Sequence, residues 1–237
     1  MSLLRTIMVA AAPLVLAAGF TSCLDEASDE DKFSILVQGY VIQDYDTDTT
    51  VIYKPYLTVC STSSDYPLAG ASLYGTNGAL TLTKATDLLY ENNPDDYATT
   101  DLSKINGSYT ATATTTTGLS KTTTFTIAIA TTEQLGKVKP TELKYDGENV
   151  TVAMPYVKNS SRYGVTILPY ESGNTPKRID TYYKVSTHTS MGIDSVVTYT
   201  ISFPRTSLGS DSAVIRAHVT GSTGLFQESD TCLLISK

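Results

Sequence analysis

From residue 33 onward no window of about 11 residues sustains the i, i+3, i+4 apolar spacing of a helix. Val, Ile, Thr and Tyr recur instead in short alternating runs split by Gly, Asn, Asp and Pro, the signature of half-buried strands. In the first half this predicts strands over 33–38, 51–61, 69–74, 79–83, 108–116 and 121–129. The threonine-rich tract 110–126 is low in complexity, but it alternates, and Thr117-Gly118-Leu119-Ser120 interrupts it. β-Branched threonine suits a half-exposed pleated face, so the tract predicts a hairpin rather than a disordered stalk. In the second half a turn at Asp146-Gly147-Glu148-Asn149 leads into a strand over 150–155. Strands over 213–220 and 225–236 close the chain around Gly221-Ser222-Thr223-Gly224. Between the halves, 131–140 (TTEQLGKVKP) shifts in composition and ends in Pro, as boundaries do. The expected fold is all-β, with two consecutive β-sandwiches over 33–131 and 141–237 joined by a linker at 132–140.

The first residues follow a different logic. After a single positive charge at Arg5, residues 6–18 (TIMVAAAPLVLAA) form an apolar run too short to cross a ~30 Å hydrocarbon core as a helix, which reads as the core of a cleaved secretory signal over 1–22. It ends in Phe20-Thr21-Ser22-Cys23, which resembles the bacterial lipobox, with Phe20 where leucine is usual. That resemblance implies diacylglycerol on Cys23, held by burial of acyl CH2 groups at about 0.8 kcal/mol each. The tether that follows, 23–32, carries five carboxylates in Leu24-Asp25-Glu26-Ala27-Ser28-Asp29-Glu30-Asp31 and stays solvated. It is similar to the acidic tether of surface-exposed lipoproteins of the Bacteroidetes, which implies a lipid-anchored protein of the outer membrane, exposed at the cell surface.

Two further resemblances concern the sandwiches. Leu102 with Asn106-Gly107-Ser108-Tyr109-Thr110-Ala111 resembles the tyrosine corner of immunoglobulin-like domains, which implies that the Tyr109 hydroxyl bonds back to upstream backbone. The immunoglobulin tryptophan and cysteine pair are missing, since the chain has no Trp. The opening of the second half, from Pro140-Thr141-Glu142-Leu143 through Val150-Thr151-Val152-Ala153-Met154-Pro155, resembles fibronectin type III domains, with Met154 standing where their core tryptophan is expected.

Charge and reactive side chains narrow the function classes. The chain has 237 residues, with 17 Lys and Arg against 24 Asp and Glu, a formal net charge of −7. With its cations scattered singly, it offers no electrostatic footprint for nucleic acid. Only two histidines occur, His188 among Ser and Thr and His218 on the expected outward face of a strand. No G-x-S-x-G elbow, P-loop or H-E-x-x-H is present, so the expectation is a non-enzyme without cofactor or metal. Asp44, Asp46 and Asp48 alternate, but Thr49 and Pro55 stand where a calcium loop needs Gly and Glu, and a solvated loop is expected. Cys60 and Cys232 sit in strand-like runs and are expected as buried, unbridged thiols. Asn92, Asn93, Asp95 and Asp96 around Pro94 are expected as turn chemistry. Tyr182 and Tyr183 are adjacent, so one faces outward on a strand.

Asp48-Thr49-Thr50, Asp194-Ser195-Val196 and Asp211-Ser212-Ala213 resemble the O-glycosylation acceptors of the Bacteroidetes, making Thr49, Ser195 and Ser212 candidate modification sites. Asn106, Asn149 and Asn159 fit N-x-[ST], a sequon rarely read in bacteria. The address and architecture imply a lipid-anchored binding or adhesion protein for a glycan or a protein ligand, with the loops 43–50 and 87–97 as the places to watch. The alternative is a structural accessory lipoprotein of an outer-membrane glycan-uptake complex, or a fimbrial component. Against the fimbrial reading, the mature chain has no Arg before Arg162, where fimbrillins are cleaved after an Arg near the first strand.

Overall fold

The computed structural model describes residues 32–46, 49–170, 180–184, 195–207 and 212–236. The expected signal over 1–22, Cys23, the five carboxylates of the expected tether, Asp48 and His188 lie outside the described residues, as do the side chains of Tyr182 and Tyr183. The fold is all-β: fifteen strands among the described residues, supplemented by three short 3-10 turns. The chain divides into two compact units, with the boundary between Thr132 and Glu133.

In the first unit β1 (Ile35–Tyr45), β2 (Val51–Ser61), β5 (Leu82–Thr86) and β6 (Leu89–Asn92) form antiparallel pairs in the order β1-β2-β6-β5. A second sheet runs β4-β3-β7-β8, from β3 (Leu68–Gly75), β4 (Gly78–Leu80), β7 (Gly107–Thr115) and β8 (Ser120–Ile127). Alternation decides which residues meet between them: Leu57 and Val59 from β2 pack with Leu68 and Leu73 from β3 and Tyr109, Ala111 and Ala113 from β7. The threonine-rich tract is the β7–β8 hairpin, paired in register from Gly107↔Ile127 to Thr114↔Ser120. Gly118 makes its turn at φ 89°, a backbone region that glycine enters without penalty.

Three differences from the sequence pattern have local causes. β1 runs to Tyr45 rather than ending at 38, because all eleven residues pair with β2 although Gly39, Gln43 and Asp44 dilute its apolar signal. The run 79–83 divides into β4 and β5, which belong to different sheets. β6 is only Leu-Tyr-Glu-Asn, lying between turn residues that hide it.

The second unit has a three-stranded sheet, β13-β10-β9, and four further strands that pair in the order β12-β11-β14-β15. Its strands are β9 (Glu142–Tyr145), β10 (Asn149–Pro155), β11 (Ser160–Tyr170), β12 (Asp180–Lys184), β13 (Val196–Ser202), β14 (Ser212–Gly221) and β15 (Leu225–Ser236). Val150, Val152, Met154, Val197 and Tyr199 from one sheet and Tyr163, Val165, Ile167, Ile215, Ala217 and Val219 from the other are buried. Tyr199 reaches across, its hydroxyl donating to the Gly164 carbonyl at 2.7 Å. Within the stretch expected to be a linker, Leu135 and Val138 are buried and the Gly136 amide donates to the Lys158 carbonyl at 3.1 Å. Polar neighbours on either side mask these two anchors in the sequence.

Two expectations are overturned here. His218 was expected at the surface and is fully buried. Its side chain does face away from Ala217 and Val219, but Gly164 stands opposite it on β11 and leaves space for the ring. Thr166 pairs with its Nδ1 at 3.0 Å, and the Phe226 ring lies 4.8 Å away. The cysteines were expected to be buried. Both are unbridged, but Cys60 is half-exposed and Cys232 is exposed. At Cys232 the register decides: it pairs with Arg216, an outward position of β14, so Cys232 and Leu234 face outward and Ile235 inward. His218 pairs with Glu228, which leaves an irregularity in β15 between the two pairs. The Arg216 guanidinium donates to the bulge carbonyls of Ser229 and Asp230, at 3.0 and 3.3 Å.

Candidate functional site at one end of the first unit

The site begins with a proline. Pro55 sits inside β2 and has no amide hydrogen, and β6 pairs with β2 only at Thr58, Val59 and Cys60, so the ladder needs another partner beyond that point. Asn92, at the end of β6, supplies it: its Oδ1 accepts from the Leu57 amide at 2.7 Å and its Nδ2 donates to the Pro55 carbonyl at 2.8 Å. Asn92 is therefore a buried strand extension, correcting its reading as turn chemistry. Asn93 does perform turn chemistry, capping the 3-10 turn Pro94–Tyr97.

Lys54, the neighbour of Pro55, joins the two loops singled out in the sequence. Its ammonium bonds Asp44 at 2.9 Å and Asp95 at 3.0 Å. Burial alone would lower its pKa, but the bonds to the two carboxylates outweigh burial and hold it above the ordinary lysine value. Asp44, the first of the three alternating aspartates, is thereby committed to a lysine. Tyr53 and Thr99 exchange both backbone hydrogen bonds, at 2.7 and 2.9 Å, which fastens the chain after the 3-10 turn to the start of β2.

A second 3-10 turn, Leu102–Lys104, follows, capped by Asp101, whose Oδ1 accepts from the Ser103 amide at 2.9 Å. Hydrogen bonds from Ser103, side chain and backbone, hold the Asp101 carboxyl below the usual carboxylate range. The Tyr109 hydroxyl donates to the Ile105 carbonyl at 2.6 Å, the backward bond expected of it. Desolvation raises its pKa. Gly75 is obligatory beside it, because a Cβ there would lie 2.4 Å from the Tyr109 ring.

These elements enclose an open cleft of about 220 Å³ whose lining includes Asn77, Ala79, Tyr97, Thr99, Lys104 and Tyr109. The Tyr97 hydroxyl accepts from the Thr81 amide at 2.5 Å, and Asn77 donates to the Lys104 carbonyl, so the rim is fixed by bonds between its own loops. A mainly apolar lining that also includes Asn77, Tyr97 and Lys104 is suited to holding a small polar group. Among the described residues no group of three or more His, Cys, Asp or Glu is placed to hold a metal, and no helix is long and apolar enough to cross a membrane.

The remaining candidates scatter. Thr49 is exposed in the β1–β2 connection. Ser195 is half-buried, with its carbonyl accepting from the Tyr156 amide at 2.9 Å. Ser212 is half-buried at the start of β14. Their aspartate partners, Asp48, Asp194 and Asp211, lie outside the described residues. Asn106 exchanges two bonds with the Ile129 backbone, both 2.8 Å. Lys54, Asn77 and Lys104 carried no advance signal, because their roles depend on partners distant in sequence. The one local hint was Asn93-Pro94, a cap followed by a proline at the first turn position.

No protein-family model matches this chain, and no curated protein matches it either. Among solved structures it is similar to a DUF3823 family protein from Bacteroides ovatus ATCC 8483, with 12% identical residues over 84% of this chain and 99% of that one, at a TM-score of 0.32. A likeness that loose carries no argument about fold or function.

Proposed function

We propose that this chain is a lipid-anchored binding or adhesion protein of the bacterial outer-membrane surface, of the Bacteroidetes type, without catalytic activity. It holds a glycan or protein ligand at the cleft end of its first sandwich. The observation that supports this best is the convergence of the loops around 43–50 and 87–97 on Lys54, beside a cleft whose rim presents Asn77, Tyr97 and Lys104. Rim groups held by bonds between loops are preorganised, which lowers the entropy cost of binding. Attachment rests on Phe20-Thr21-Ser22-Cys23 behind the apolar run. The reading of the units as immunoglobulin-like and fibronectin type III-like is supported by the Tyr109 bond four residues back and by the three-plus-four strand division of the second unit.

The test has two arms. Full-length protein expressed in a Gram-negative host is expected to incorporate labelled fatty acid and to be reached by antibody on intact cells, and Cys23→Ser abolishes the label. The detergent-solubilised protein is expected to bind a defined ligand on combined glycan and matrix-protein arrays, with Lys104→Ala and Tyr97→Ala weakening binding. Silence on both arrays would replace the binding reading with a structural role in a larger complex.

A further inference from the structure

We infer that the outward face of the β3–β7–β8 sheet binds a neutral polysaccharide chain, with the Tyr74 ring as its stacking platform and rows of threonine hydroxyls as its polar contacts. This rests on the binding reading above and names its ligand class.

The register assembles the face. Tyr74 pairs with Thr110, and Thr110 with Thr124. One step along, Ser72 pairs with Thr112, and Thr112 with Thr122. Because successive side chains alternate, these residues all point away from the core that takes Tyr109, Ala111 and Ala113. Equivalent rows lie about 6.8 Å apart along a strand and about 4.8 Å apart between strands, so the hydroxyls form a lattice. The Thr112 and Thr122 hydroxyl oxygens are 2.8 Å apart, and each hydroxyl retains further donor or acceptor capacity. Threonine is stiff at χ1, so the lattice loses little entropy when a ligand settles on it. Tyr74 is 59% exposed, because its cross-strand neighbours are the small Ala79 and Thr110.

Charge selects the occupant. In a chain of 17 basic and 24 acidic residues, no outward position on β3, β7 or β8 is charged. An anionic polymer meets no cation there, and a protein partner finds no apolar anchor beyond one ring. A polyhydroxylated neutral chain matches both features, its C–H faces lying on the ring and its hydroxyls on the threonines. Ala79, the cross-strand partner of Tyr74, also lines the cleft.

Affinity electrophoresis of the detergent-solubilised full-length protein tests this, in native gels containing starch, mixed-linkage β-glucan or galactomannan, with polygalacturonate and heparin as charged counterparts. The expected result is retardation by at least one neutral polymer. Tyr74→Ala and Thr112→Val should each weaken it roughly five-fold or more, while Tyr74→Phe, which keeps the ring, leaves it near wild type. Retardation unchanged in Tyr74→Ala and Thr112→Val overturns this face but leaves the binding reading intact, as does retardation by charged polymers alone or ligand binding confined to the protein arrays. Concentration-dependent dimerisation abolished by Tyr74→Ala would assign the face to a second copy of the chain and also overturn the inference. If neither gels nor arrays show any ligand, both readings fail together.

Discussion

The Tyr109 hydroxyl and the Asn92 amide perform the same task in the first unit, supplying bonds to backbone that strand pairing leaves unmet. Tyr109→Phe keeps the ring stacked 5.1 Å from Phe125 but leaves the Ile105 carbonyl without its donor, at a cost of about 1–3 kcal/mol. Asn92→Ala strands both the Leu57 amide and the Pro55 carbonyl and is expected to cost about 2 kcal/mol or more. Urea denaturation measures both, with the exposed Tyr74→Phe as a control expected within about 0.5 kcal/mol of wild type. A Tyr109→Phe protein as stable as the control would remove the corner from the account of this fold. The two residues differ in how far the sequence discloses them. Tyr109 follows a recognisable Asn-Gly-Ser approach to a strand, whereas Asn92 sits in Glu91-Asn92-Asn93-Pro94, where an asparagine before a proline is what an ordinary turn also requires. Nothing local reveals that one asparagine turns inward to mend a ladder and the next caps a turn.

Strands are legible where alternation is clean and paired along their whole length, as in β2 and the β7–β8 hairpin. Legibility fails where pairing overrides composition. β1 carries Gly39, Gln43 and Asp44 yet pairs throughout, and β6 is too short to show a period. In β15 Cys232 looks like core in sequence because Leu233, Leu234 and Ile235 follow it, but its pairing with Arg216 puts it on the outward face, so it lies exposed. His218 fails for the opposite reason: its parity is readable, but the slot left by Gly164 is not. Arg216 holds the irregularity of β15 through two carbonyl contacts. Arg216→Met keeps the length of the aliphatic stem and removes both bonds. Amide hydrogen exchange at residues 229–232 is expected to accelerate about ten-fold or more, with far smaller changes in β10 and β13. Uniform acceleration across the second unit would show that Arg216 supports the whole unit rather than this irregularity.

At the scale of the molecule, all-β class follows from composition and period, because β-branched and tyrosine-rich alternation has few other uses. The candidate site does not, because Lys54, Asp44 and Asp95 meet only after two loops have been placed. Three buried phenols, Tyr53, Tyr109 and Tyr199, also make the fold sensitive to alkali. Burial is the main force raising the phenol of Tyr199, with the nearby Tyr163 adding to it; burial likewise raises Tyr53 and Tyr109. A raised pKa means the folded state favours the neutral phenol, while the unfolded chain ionises near the ordinary value of 10.0. Stability from these groups is therefore complete below about pH 10 and falls as pH rises above it, by about 1.4 kcal/mol per pH unit for each group still protonated in the folded state. Unfolding free energies from urea titrations between about pH 9 and 11.5 are expected to fall with that slope. Tyrosinate absorbance from these buried phenols should rise with unfolding rather than before it. Tyr199→Phe lowers stability at neutral pH by losing the bond to Gly164, but flattens the alkaline slope. The combination separates ionisation from packing: a variant whose alkaline slope matched wild type would mean that Tyr199 ionises inside the folded protein and contributes nothing to its alkaline limit.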